Sequence, residues 1–379
     1  MARVVVAGWV TGLPTASFFW HAVAFAVGFQ DAGHEVWFLE DSGDDPWCYD
    51  PVTEEMDPTA RYGTSFLARE MDAIGMGDRW AFRHGPTGRY EGMSEQEVSD
   101  VLAGADVFVN VSLTTPMRPE YQHIPHRLAI DTDPVFTQVR IANGDWILGG
   151  VPDWHTRLFT FGRPPLPGQS HDWVPTRQPV ATRFWPVEPH PGPAAPFTTV
   201  MSWRAYEPVL LDGVEYGSKD RTMESLLDLP KRTSAPLSIA LGGGNAHPQG
   251  KRILLDNGWD LTDPMDANRS SQVFRQFLAG SAGELGIAKH GYVASRSGWF
   301  SERTCCYLAS GRPAVVTETG WSDWLPEGDG LLGYSTADQA AAALDEIRSD
   351  PERHAVAARK LVQEHFEAAD VCQALLDAL

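Results

Sequence analysis

Cysteine is scarce in this 379-residue sequence, with only Cys48, Cys305, Cys306 and Cys372, and no Cys-x-x-Cys pair among them. That spacing argues against a disulfide framework or a thiolate metal site. Reduced thiols in a cytoplasmic setting are the expectation. Basic residues are also in deficit, 30 against 50 acidic, for a formal net charge of −20. A duplex-binding protein needs a basic footprint to displace counterions from phosphates, so nucleic acid and anionic membrane are poor partners. A local basic pocket for a small anionic ligand stays open. There is no signal-type leader before the first strand, and no apolar run reaches about 18 residues, so no membrane span is expected. Phe18 to Phe29 comes closest, but His21 interrupts it, and it reads as a buried helix.

What is present fits a folded enzyme. Apolar residues make up 43% and charged residues 21%, ordinary globular values. The length favours two domains. Val4 to Ala7 is a β-branched run ending in Gly8, which suits a buried parallel strand. The loop Trp9 to Pro14 follows, then a helix Ser17 to Asp31 closed near Gly33, then a strand His34 to Leu39. Strand, loop, helix and strand at this spacing make a βαβ unit, which takes ligands at the carboxyl ends of its strands. The loop carries Gly8 and Gly12 but no G-x-G-x-x-G, so no dinucleotide site is assigned. Trp9, Thr11 and Gly12 are the candidate ligand-binding residues of this loop, and residues 43–63 read as a long loop.

Two further buried strands are expected over Ala105–Val111 and Arg127–Ile130. The second ends in Asp131-Thr132-Asp133-Pro134. Carboxylates at a strand end suit acid–base work or sugar hydroxyls; either one could equally cap the turn that follows. His21 has two readings as well, a general base near the first loop or a packed core histidine.

Residues 184–196 contain five prolines. Proline resists helix and sheet centre alike, and this stretch is the expected interdomain linker. A second α/β pattern follows it. It has strands at Thr198–Met201, Leu237–Leu241 (closed by Gly242-Gly243-Gly244) and near Leu285–Ala288, and helices at Asp220–Leu229, Lys251–Asn257 and Ser271–Gly280. The loop Ser297-Gly298-Trp299-Phe300-Ser301 opens a helix from Glu302 to Ser310. A helix start presents free amides and a positive dipole end, a ready anion site, though water can occupy such a start as well.

The stretches ASGRPAVVTETG, EGDGLLGYSTADQAAAALDEI and DPERHAVAARKLVQEHF, from Ala309 onward, resemble the donor-binding end of GT-B glycosyltransferases of the glycosyltransferase-1 type. The resemblance covers most of the C-terminal half and is strongest from Lys289. It implies two Rossmann-like doubly wound α/β domains facing a cleft. Residues 1–183 would bind the acceptor, 197–364 would bind a nucleotide-diphosphate sugar, and the chain after about 365 would pack back on the first domain. It implies a metal-independent, hexosyltransferase-type enzyme with no cofactor beyond that co-substrate. The donor set it implies is Ser202, Lys219 (on the diphosphate), Gly243, Gly244, Ser297 to Ser301, Glu302, Arg303, Gly320 and Trp321, with His21, Asp131 or Asp133 as the base. The glutamate that the family places on the ribose falls here on Cys306, a departure from the pattern. The Asp131-Thr132-Asp133 motif matches the metal-binding Asp-x-Asp of a different, one-domain fold, which leaves the C-terminal half unexplained. Fourteen tryptophans and aromatic loops fit a small, flat acceptor such as a natural product. A GT-B-like epimerase and a non-catalytic two-domain sugar-binding protein are the alternative readings.

Overall fold

The computed structural model describes residues 1–44, 46, 48–242 and 248–379. Val4, Val5 and Val6 are buried on both faces, as a central parallel strand requires. They belong to an eight-stranded sheet in the order Trp173–Pro175, Arg157–Thr160, His126–Asp131, Val107–Val111, Arg3–Ala7, Glu35–Asp41, Trp80–His84, Arg89–Gly92. Every pair is parallel except the last, which is antiparallel. A second sheet of six parallel strands runs Asp260–Thr262, Leu237–Gly242, Phe197–Ser202, Gly283–Gly286, Ala314–Thr317, Leu331–Tyr334.

In both sheets the strand order reverses beside the first strand of that half. The reversals lie between Arg3–Ala7 and Val107–Val111, and between Phe197–Ser202 and Gly283–Gly286. Helices leave in opposite directions at such a point and open a crevice outside the carboxyl ends. The two crevices meet: Asp133, beyond one sheet, pairs with Lys289, beyond the other, at 2.9 Å. This is an α/β chain of two Rossmann-like layers, as the sequence led us to expect.

The helix Ala16–Asp31 is apolar all round because it is covered all round. Gly28 shows how tightly: a Cβ there would lie 2.5 Å from Cys372 Sγ and 2.6 Å from the Ala368 carbonyl. Both belong to the last helix, Ala368–Asp377, which lies on the first sheet's side of the molecule. The return is pinned by Glu367, which accepts from Thr182 Oγ1 at 2.6 Å. Among the described residues no helix is long and apolar enough to cross a membrane.

The proline-rich stretch 184–196 is anchored along its first half. Trp185 is buried against Trp20 and Phe274. Buried Arg312 donates to the carbonyls of Glu188 (3.0 Å) and Pro189 (2.9 Å). A chain poor in backbone donors still offers acceptors, and one guanidinium takes two of them.

Some expectations fail for identifiable reasons. The helix expected over Asp220–Leu229 spans only Lys219–Met223, and a 3₁₀ turn occupies Leu229–Lys231. Beyond Met223 the amides of Ser225, Leu226 and Leu229 bond three residues back instead of four, so the chain continues as tight turns and Pro230 falls in the last of them. The strand expected near Leu285–Ala288 lies at Gly283–Gly286. The helices Arg61–Ala73 and Glu95–Ala103 and four strands of the first sheet went unread. Those strands are short or mixed in polarity, and only sheet neighbours define them.

Candidate active site

The helix Glu302–Ala309 begins at Ser301, whose Oγ accepts from the Arg303 amide at 3.2 Å. In the loop before it, the Ser297 amide is taken by the Tyr292 carbonyl and the Gly298 amide by the Thr319 carbonyl, at 3.2 and 2.7 Å. This corrects the expectation that amides from Ser297 onward are free: those two shape the loop. Phe300 is also structural. It is buried, stacks on Phe366, and its carbonyl accepts from Gln178. The side chains left at the helix start are Glu302 and Arg303.

Around that start lies a cluster of charge. Lys219, at the beginning of its short helix, is 9% exposed. No hydrogen bond or ion pair reaches its ammonium among the described residues. Burial drives its pKa well below the ordinary lysine value; the Arg303 guanidinium pushes the same way, and Glu284 and Glu302 oppose. Glu284, inside the strand Gly283–Gly286 at the switch point, is 0% exposed, and neither of its oxygens has a hydrogen-bond partner. Arg303 Nε is the nearest cation, at 4.0 Å, and also lacks a hydrogen bond. Burial raises the Glu284 pKa, opposed by Arg303, by the nearby Thr304 hydroxyl, which lies outside good hydrogen-bond geometry, and by Lys219. On Glu302, burial works upward, but His21, Arg303 and Lys219 outweigh it and hold the carboxyl below its usual value. Glu284 escaped the sequence reading because a strand-interior position in an apolar run carries no motif. Its signal is the lone acid between Gly283 and Leu285.

Two hollows flank Arg303. One, of about 290 Å³, is lined by Glu284, Trp299, Ser301, Thr317, Thr319 and Trp321. Trp321 is buried with its Nε1 on the Thr317 carbonyl at 3.2 Å. Trp299 stacks on Tyr292 and donates to the Thr132 carbonyl, crossing between the halves. Gly320 holds φ +90° in the turn beneath Trp321. The other hollow, of about 440 Å³, is lined by Ser17, Trp20, His21 and Phe161 on one side and Glu302, Arg303 and Cys306 on the other. His21 therefore sits across from the helix start. Its Nε2 lies 2.8 Å from Ser112 Oγ. Burial lowers its pKa; Glu302 and Asp133 pull upward and Arg303 downward.

The remaining expected residues fall outside this centre. Asp131 is fully buried and accepts from Thr137 Oγ1 (2.6 Å), Thr160 Oγ1 (2.7 Å), Gln138 Nε2 (2.8 Å) and the Asp133 amide (3.0 Å). With its lone pairs used, it organises the strand end and has none left for an acceptor's proton; this corrects its assignment as a base. Asp133 is held by Lys289 and by the Tyr206 and Tyr292 hydroxyls. Thr11 is buried, and its amide and hydroxyl bind the Glu40 carboxylate at 3.0 and 2.7 Å. Gly12 lies against the Trp9 indole, leaving no room for a Cβ, and Trp9 meets Phe18 edge-on. These three shape the first loop of the N-terminal half. Ser202 ends its strand, exposed. Gly243 and Gly244 lie outside the described residues.

No protein-family model matches this chain, and no curated protein matches it. Solved structures do. Sucrose-phosphate synthase from Thermosynechococcus elongatus is similar at TM-score 0.57 and 10% identity over 99% of this chain and 98% of that one. HepE from Anabaena, in complex with UDP and glucose, gives 0.57 and 11% over 100% and 99%. AviGT4, a glycosyltransferase involved in avilamycin A biosynthesis, gives 0.51 and 12% over 100% and 97%. At such identities the likeness speaks for the path of the chain, and that path, two Rossmann-like halves meeting at their switch points, is the GT-B glycosyltransferase fold.

Proposed function

We propose that this protein is a glycosyltransferase that moves a sugar from a nucleotide-diphosphate sugar to a small-molecule acceptor. The observation that carries the reading is Lys219. A lysine kept this far out of water is costly to charge without a partner; no hydrogen bond or ion pair reaches it among the described residues, and it shares its surroundings with Arg303 and the amide end of a helix. A diphosphate supplies the missing negative charge, and the same groups hold that charge as the leaving group departs. Trp299 and Trp321 wall the adjoining hollow, and indole faces suit a sugar ring. HepE, whose fold this chain shares, was solved with UDP and glucose, so uridine is the first base to test.

In the transfer, the acceptor oxygen bonds to the anomeric carbon as the bond from that carbon to the diphosphate oxygen breaks. The bonding pair leaves on the nucleotide. The proton of the acceptor hydroxyl passes to the His21 ring across the cleft, or to the departing diphosphate oxygen.

Melting temperature is measured against uridine, guanosine, thymidine and adenosine diphosphates. One base raises it by mass action. With the matching sugar nucleotide, free nucleoside diphosphate is released only when an acceptor is added. Release without acceptor would indicate an epimerase-type or hydrolytic reaction instead. Failure of all four diphosphates to raise the melting temperature would sink the proposal.

A further inference from the structure

At the carboxyl end of the strand Val107–Val111, beside the first switch point, the backbone takes a course that L-residues avoid. Ser112 and Leu113 both adopt left-handed conformations, φ +59° and +58°, at about 1–2 kcal/mol per residue. Their surroundings enforce it. The Ser112 amide donates to the Ile130 carbonyl at 2.9 Å, Leu113 is buried, and Thr114 Oγ1 donates to the Val111 carbonyl at 3.2 Å. The result is a serine hydroxyl placed between two partners, His21 Nε2 at 2.8 Å and Thr132 Oγ1 at 2.8 Å. Backbone strain of this kind gathers where a side chain must be held in place.

A neutral imidazole has one N–H and one bare lone pair, and the partner of one nitrogen decides the role of the other. The His21 partner is a hydroxyl, itself backed by a second hydroxyl, and no carboxylate lies within hydrogen-bond distance of the ring among the described residues. The charged groups facing the ring are Glu302 and Arg303 from the helix opposite and Asp133 from the strand end beside it. Nδ1 has no hydrogen-bond partner among the described residues.

We propose that Ser112, backed by Thr132, holds His21 in the Nε2–H tautomer, so that Nδ1 is the lone pair offered to a hydroxyl of the substrate bound in the cleft. The two hydroxyls alone would serve either tautomer; both the substrate in the cleft and the choice of the Nε2–H form rest on the glycosyltransferase reading, which needs a lone pair on the nitrogen that faces the cleft. Ser112 is a positioning residue in this scheme. In it, the Nε2–H donates to Ser112 Oγ, and the Ser112 hydroxyl donates to Thr132 Oγ1.

The test is the ¹⁵N spectrum of the histidine rings in the full-length, ligand-free protein, with His21 assigned from the His21→Gln variant. The expected result is a protonated Nε2 and a bare Nδ1. Ser112→Gly suits the positive φ and preserves the fold; it should give a mixture of tautomers. Ser112→Asp puts a carboxylate on Nε2 and should raise the His21 titration by about one unit or more. In turnover, Ser112→Gly should lower kcat about tenfold or more with the donor KM unchanged. A protonated Nδ1 in the native protein, or a spectrum that Ser112→Gly leaves unaltered, would overturn the proposal. So would unaltered kcat in that variant. Absence of any transfer by the native protein would overturn the glycosyltransferase reading and leave the spectra to decide the tautomer.

Discussion

At the carboxyl end of the first sheet, buried polar groups are matched to one another; at the same end of the second sheet they are not. Asp131 takes four donors. Asp41 takes Arg118 and the Tyr121 hydroxyl, and Glu40 takes the amides of Val10 and Thr11. Across the cleft, among the described residues, no hydrogen bond or ion pair reaches the Lys219 ammonium, Glu284 has no hydrogen bond, and Arg303 reaches Glu284 only at 4.0 Å and Glu302 at 3.8 Å. An unmatched buried charge costs far more than a matched one gains. The first set therefore reads as scaffold, and the second as groups whose partner is a ligand.

Substitutions sharpen that contrast. Asp131→Ala orphans three side-chain donors and one amide, and should lower stability by about 3–4 kcal/mol in urea unfolding. If it left stability intact and abolished turnover, the division between scaffold and site would be wrong for that residue. Lys219→Ala should do the opposite: weaken nucleoside diphosphate binding about 100-fold or more by calorimetry, with melting temperature unchanged or raised. Because burial holds Lys219 well below its usual pKa, an arriving diphosphate should restore its proton. Proton uptake on binding should therefore be seen across a pH series, as a binding heat that varies with the buffer's ionisation enthalpy; the Lys219→Ala protein should show none. The smallest effect belongs to the scaffold. Burial pushes Glu40 up to about 7 from 4.5 despite its Thr11 and Val10 bonds. A raised carboxyl pKa adds stability that is complete below pH 4.5 and is lost as pH rises through 7. Glu40→Gln should flatten the melting temperature over that window.

The sequence made the chain's order readable because periodicity and punctuation are local. Val4 to Val6 announced a buried strand, Gly33 closed a helix, and the prolines of 184–196 separated two α/β patterns. The Gly311-Arg312-Pro313 turn and the alanine-rich helix after it carried the resemblance to the donor half. Single residues were another matter. Asp131 and Asp133 look alike in the sequence, yet one closes on its own strand end and the other reaches Lys289 156 residues away. Ser112 and Glu284 carried no motif.

The amino-acid order alone determined that this chain alternates strand and helix twice, is acidic overall, and opens a helix at Glu302 behind a glycine-containing loop. Those properties follow from neighbours a few residues apart. Which buried groups would be satisfied and which left over was decided only when the two sheets met. Lys219, Glu284, Arg303 and His21 come from separate elements, and the desolvation that distinguishes them exists only in the assembled fold.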